Sequence, residues 1–270
     1  MSKKEKAPKQ KKEKKPKVVE DHGITGMGTD YRVYILSKSE RTTAFAVGAA
    51  VGFLAAYLYF DNIIIGIIVG AIAAIKAQSI YANKLLNKRG KELRLQFRDL
   101  LESLSNSYTV GMTATRAFRA ALEDMKVEHG ENSYIVKELD LICTTHENQG
   151  IEIKDMLNDF AKRSGLDDAR SFAGVFDVST NLGGDVAKVI RETRDMISDK
   201  IEIELEIQTM VTGEKNQLNI LAIMPFVIAL LMKSFNMGDS GALVIIVKII
   251  AAALFVFAYW LGTKITDIKV

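Results

Sequence analysis

The chain is poor in the residues that staple or catalyse. It has one cysteine, Cys143, one tryptophan and three prolines among 270 residues. A lone cysteine excludes a disulfide framework and a cysteine-built zinc site within one chain. Free cysteine is among the most buried residue types, so Cys143 is expected inside a helical core. The three histidines, His22, His129 and His146, are far apart and show no H-E-x-x-H spacing. They read as surface residues, and no metal site is expected. There is no G-x-x-x-x-G-K-[ST], no G-x-G-x-x-G, and no Ser-His-Asp or Cys-His constellation. These absences argue against an enzyme and against a bound cofactor. Proline is missing between Pro16 and Pro225, so only glycine interrupts helices in that interval. No cleavable signal peptide is visible, because the first apolar run follows about 40 polar residues. That run is expected to stay as an anchor.

What is present is segregated. Hydrophobic residues make up 48% of the chain and concentrate in two blocks, roughly 43–82 and 218–262. Residues 1–20 hold nine lysines against three glutamates and almost nothing apolar. Such a tail buries no core, and residues 1–30 are expected to be a disordered basic tail. Its lysines suit a cytoplasmic topology signal and anionic lipid head groups, and no aromatic residues interleave them for nucleic acid. The first hairpin, residues 31–82, carries spans at about 43–60 and 63–82. One helix over 43–82 would be about 60 Å long, twice the hydrocarbon core, so a turn is expected at Asp61-Asn62. Gly48, Gly52, Gly66 and Gly70 suit close helix packing. The second hairpin, residues 217–265, carries spans at about 218–235 and 242–262, with Pro225 inside the third as a kink or hinge. The two turns lack lysine and arginine, while Lys84, Lys88, Arg89, Lys91, Arg94 and Arg98 lie on the other side. The positive-inside rule therefore places both termini, including residues 266–270, and the middle region in the cytoplasm.

Residues 83–216 read as an all-α domain. Leu93, Phe97, Leu100, Leu101, Leu104 and Tyr108 step by three and four. So do Ile135, Leu139 and Ile142, then Ala169, Phe172, Ala173 and Phe176, then Val186, Val189, Ile190, Thr193 and Ile197. One stretch, KIEIELEIQ at 200–208, alternates with period two like a strand. Helix is favoured there, because glutamate is a good helix former and a lone strand would have no partner. Gly111, Gly150 and Gly183 are each followed by apolar residues at +3, +6 and +7, with Thr113, Glu152 and Asp185 at +2. The pattern reads as a helical hairpin used three times, with Gly111, Gly150, Gly183 and Gly184 as helix corners. Gly213 is the expected hinge between the domain and the third span.

The ordered motifs LQFRDLLESLSNSYTVGMTATRAFRAAL, GIEIKDMLNDFAKRSGLDDARSFAGVFDVSTNLGGDVAKVIRETRDMI and ILAIMPFVI resemble the type II secretion system F-domain family. With the layout of two spans, domain and two spans, the chain is most similar to the single-F-domain, TadB/TadC-like platform proteins of the tight-adherence (Tad/Flp, type IVc) pilus. The DYRVYILSKSER segment before the first span leans toward the TadB side. The resemblance implies a multi-pass protein of the cytoplasmic membrane. A separate hexameric secretion ATPase would engage its F domain, a TadC-like second platform protein would pair with it in a homo- or hetero-oligomer, and pilins would be its cargo. A small multi-pass transporter subunit is the alternative. Its only candidate intramembrane charges are Lys233 and Lys248, both toward the outer ends of their spans.

Overall fold

The structure is a computed structural model that describes residues 21–60, 62–182, 185–234, 250–251, 255, 257–262 and 264. Seven helices account for most of them: α1 (Lys38–Phe60), α2 (Ile63–Thr109), α3 (Ala114–His129), α4 (Tyr134–Gln149), α5 (Ile153–Ser164), α6 (Asp167–Leu182) and α7 (Val186–Ser234). There is no strand among the described residues, and 200–208 is helical inside α7.

Three helices, α1, α2 and α7, are long and apolar enough to cross a membrane. The fourth expected span, 242–262, lies largely outside the described residues. Helix α1 begins at Lys38, ahead of the apolar run at 43, for a local reason. The Ser37 N–H donates to the Glu40 carboxylate at 2.9 Å, the reciprocal half of a capping box. Asn62 opens α2 by accepting from the N–H groups of Ile64 and Ile65 at 2.9 and 3.4 Å. Asp61 is outside the described residues.

The seam between α1 and α2 is built on the small residues expected from the sequence. A Cβ added at Gly48 would stand 2.5 Å from the Ala77 Cβ, and one at Gly52 would stand 2.5 Å from the Ala73 Cβ. Real Cβ atoms do not approach so closely, so the backbones touch only because side chains are missing.

Helices α2 and α7 run across the inner edges of the two apolar blocks. α2 runs 47 residues and α7 runs 49, and the expected boundaries at 82/83 and 216/217 fall inside them. The second half of α2 supplies Leu93, Phe97, Leu101 and Leu104, all fully buried, to a core shared with α3–α7. Phe97 touches Phe160 and Phe172, and Phe118 touches Phe176, at centroid separations of 5.8–6.1 Å. Ile190 and Ile197 close the core from α7.

Gly111 follows α2 and Gly150 ends α4. Their φ values are +78° and +69°, a region a side chain resists. Gly130 and Gly165, absent from the glycine pattern, end α3 and α5 similarly. Gly183 and Gly184 lie outside the described residues. Of the three expected caps, only the Asp185 side chain bonds the helix it precedes, accepting from the Lys188 N–H at 3.0 Å. Thr113 and Glu152 occupy N-cap positions without side-chain cap bonds. α7 continues through both Gly213 and Pro225, so neither ends the helix. Gly262 sits against α7, where an added Cβ would stand 2.7 Å from Leu218 Cδ2.

One expectation is corrected. Residues 21–30, assigned to the tail on composition, lie on the helical domain, and residues 21–37 form a strap across it. Asp30 and Tyr31 are 6% and 3% exposed. Composition misses the strap because its hydrogen bonds reach residues more than a hundred positions away.

Candidate functional site

The strap is held by charges that the fold buries. Arg163, near the C-terminus of α5, has 0% exposure and Glu138 of α4 has 2%. The guanidinium grips Glu138 with two parallel bonds, from Nη1 to Oε1 at 2.9 Å and from Nη2 to Oε2 at 2.8 Å. Its Nε donates to Asp159 Oδ2 at 2.8 Å, one helical turn earlier. Its Nη1 also donates to the Thr29 carbonyl of the strap at 2.9 Å. The strap answers with three donors. The Tyr31 hydroxyl donates to Glu138 Oε1 at 2.9 Å, and the Ile24 N–H to Asp159 Oδ1 at 2.9 Å. The Tyr31 N–H donates to the Arg163 carbonyl at 2.9 Å. A buried ion network is tolerated only when its atoms are satisfied in this way.

Glycine lets the strap approach. A Cβ at Gly28 would stand 2.4 Å from the Arg163 Cζ, and one at Gly23 would stand 2.2 Å from Asp159 Oδ2. Within the strap, Asp30 accepts from the Asp21 N–H, the Arg32 N–H and the Arg32 guanidinium. Burial pushes the Asp30 carboxyl up, but these hydrogen bonds and the Arg32 charge outweigh it and hold the group at about 2. Burial and the neighbouring Glu138 charge drive the Tyr31 phenol well above its ordinary value, so it stays a neutral donor.

Two further clusters stand near this node. The Arg89 guanidinium of α2 lies 4.6 Å from the Tyr31 ring and 5.3 Å from the Tyr134 ring, and Nη1 donates to the Val33 carbonyl at 3.3 Å. Arg94 of α2 joins the long helices by donating to Glu204 of α7 at 2.6 Å and approaching Asp168 of α6 at 3.6 Å. Lys200 of α7 also donates to Asp168.

Burial pushes the Cys143 thiol up to about 11, so it is not a thiolate near neutrality. Asp99, Glu128 and His129 bring ligand atoms within 4.8 Å of one another. Arg98 already donates twice to Asp99, at 2.9 and 2.7 Å, and its charge disfavours a cation there. The functional residues that the sequence reading missed are Tyr31, Arg89, Glu138, Asp159 and Arg163. A signal was present: Glu138 sits within the Ile135–Leu139–Ile142 stripe, and Asp159 and Arg163 flank Phe160 at a spacing of four. These contacts form a network across the helical domain. It ties the chain before α1 to α4 and α5, and it ties α2 to α6 and α7. No family model, curated protein or solved structure matches the chain.

Proposed function

We propose that this chain is a platform protein of a tight-adherence (Tad/Flp, type IVc) pilus or type II secretion-like machine. It sits in the cytoplasmic membrane with four spans in two hairpins, and its helical F domain and both termini face the cytoplasm. It couples a separate hexameric secretion ATPase to the extraction of pilins, beside a TadC-like second platform protein. The F-domain motifs motivate the family.

One observation supports a transmission role above the others. α2 and α7 each pass from an apolar segment into the domain without a break. A push on the domain would reach the membrane through two continuous helices braced by Arg94, Asp168, Lys200 and Glu204. The return of Gly262 to Leu218 supports a second hairpin. The test is affinity purification of the full chain from its native membrane, together with surface pilus counts in a deletion strain. Recovery of a secretion ATPase and a second F-domain protein, with loss of pili on deletion, is the expected result. Normal piliation without the gene would end this reading. Orientation is checked separately. A cysteine placed at position 239 should react with an impermeant reagent in intact cells, and one at position 150 should not.

A further inference from the structure

We propose that the cavity between the strap and α2 binds the phosphate of an anionic lipid head group. The cavity has a volume of about 400 Å³, and Arg89, His22, Gly28, Thr29, Asp30 and Ile35 are among the residues lining it. The inference rests on membrane insertion alone and not on the pilus reading.

Arg89 carries the argument. Its guanidinium is half-buried between two tyrosine rings and spends one N–H on the Val33 carbonyl. Its Nε is buried with no hydrogen-bond partner. Among the described residues no carboxylate lies within 4.0 Å of it. A half-buried cation with an unpartnered Nε and no counter-ion is favourably placed to pair with an anion in the cavity. The carboxylates nearby are already engaged. Asp30 takes four hydrogen bonds from Asp21 and Arg32. Glu138 and Asp159 are taken up by Arg163, Tyr31 and the Ile24 N–H. A planar guanidinium presents paired donors that match two phosphate oxygens.

The location selects a lipid over other phosphates. Arg89 follows the end of the apolar block of α2, at residue 82, by about 10 Å of helix, which is the level of the head groups. Ile35, exposed on the lining, precedes α1 by three residues. Lys38, Arg41, Lys84, Lys88 and Lys91 are exposed around the same level, and none has a carboxylate within 4.0 Å among the described residues. These cations attract an anionic surface, and the cavity receives one head group from it.

The experiment uses the purified full-length protein in mild detergent. Native mass spectrometry measures retention of phosphatidylglycerol against phosphatidylcholine in the wild type, Arg89→Gln and Lys88→Gln. We expect the wild type to favour phosphatidylglycerol. Arg89→Gln should lower that retention roughly tenfold, as loss of a charge-assisted pair implies, and Lys88→Gln by less than about twofold. Equal retention by Arg89→Gln and the wild type overturns the proposal. Should Arg89→Gln fail to fold, the wild type alone decides, through amide exchange at 28–33. Slowing by phosphatidylglycerol and not by phosphatidylcholine supports the site. No slowing, or equal slowing by both lipids, overturns it. Slowing by millimolar inorganic phosphate but not by phosphatidylglycerol assigns the cavity to free phosphate and overturns the lipid.

Discussion

At the scale of single residues, the node under the strap sets two expectations. Arg163→Met leaves Glu138 and Asp159 buried without their cation and should cost about 3–5 kcal/mol. Adding Glu138→Gln should recover part of that loss, because the second change removes one of the stranded charges. Thermal unfolding of the single and double variants in detergent measures the coupling, and strictly additive losses would contradict a shared network. The second expectation concerns acid. The folded Asp30 carboxyl sits at about 2, below its ordinary value near 4. A lowered carboxyl contributes stability above the unfolded value and loses it as pH falls toward the folded value. Amide exchange in 21–32 should therefore accelerate as pH drops from about 4 to about 2, after correction for intrinsic rates. Asp30→Asn should be exchange-labile already at neutral pH and flat across that window.

At the scale of elements, the hairpin and the long helices make separate claims. Gly52→Leu places a side chain where a single Cβ would already stand 2.5 Å from Ala73. It should drive α1 and α2 apart, read as a lower thermal unfolding temperature of the purified protein in detergent. Gly213 lies within α7 with nothing within 4 Å of an added Cβ and no positive φ. Gly213→Ala should therefore stabilise the helix by about 1 kcal/mol. If a hinge at Gly213 transmits motion, the same variant lowers piliation while raising thermal stability. Unchanged piliation would assign α7 to a rigid rod.

Much of the element pattern could be read in advance, for an identifiable reason. The stripes from Leu93 to Tyr108 and from Ala169 to Phe176 are local periodicities, and burial follows periodicity. The alternation at 200–208 misleads only on its face, since helical neighbours leave a strand nothing to pair with. The strap was illegible because His22 to Tyr31 has no apolar rhythm, and its partners lie on helices that come together only in the fold. Gly130 and Gly165 escaped because the glycine echo required apolar residues at fixed offsets that they lack. The ionic node was read as ordinary domain charge, because a sequence does not show which carboxylates lose their water.

At the scale of the whole molecule, two unbroken helices and a strap bind the domain to the membrane-facing segments. Inserting two glycines after Gly213 should interrupt α7 while leaving the strap and α2 in place. Under the proposed platform role, the expected outcome is a protein that inserts normally, co-purifies with the proposed secretion ATPase and fails to support surface pili. Normal piliation would show that α2 and the strap suffice.

The strap also constrains how the chain is made. Thr29 and Arg163 are 134 residues apart, and the strap lies ahead of the first apolar helix. At about 5–20 residues per second, a ribosome needs roughly 7–27 s to supply Arg163 after Thr29 has been synthesised. A first hairpin that inserts as it is synthesised would enter the bilayer during that interval, while the glycine-rich segment before it waits without its partner. On the proposed membrane topology, the newly made protein passes through a state in which insertion is under way and the domain is unsealed. A chaperone or protease at the membrane surface would meet the exposed Tyr31 segment in that state.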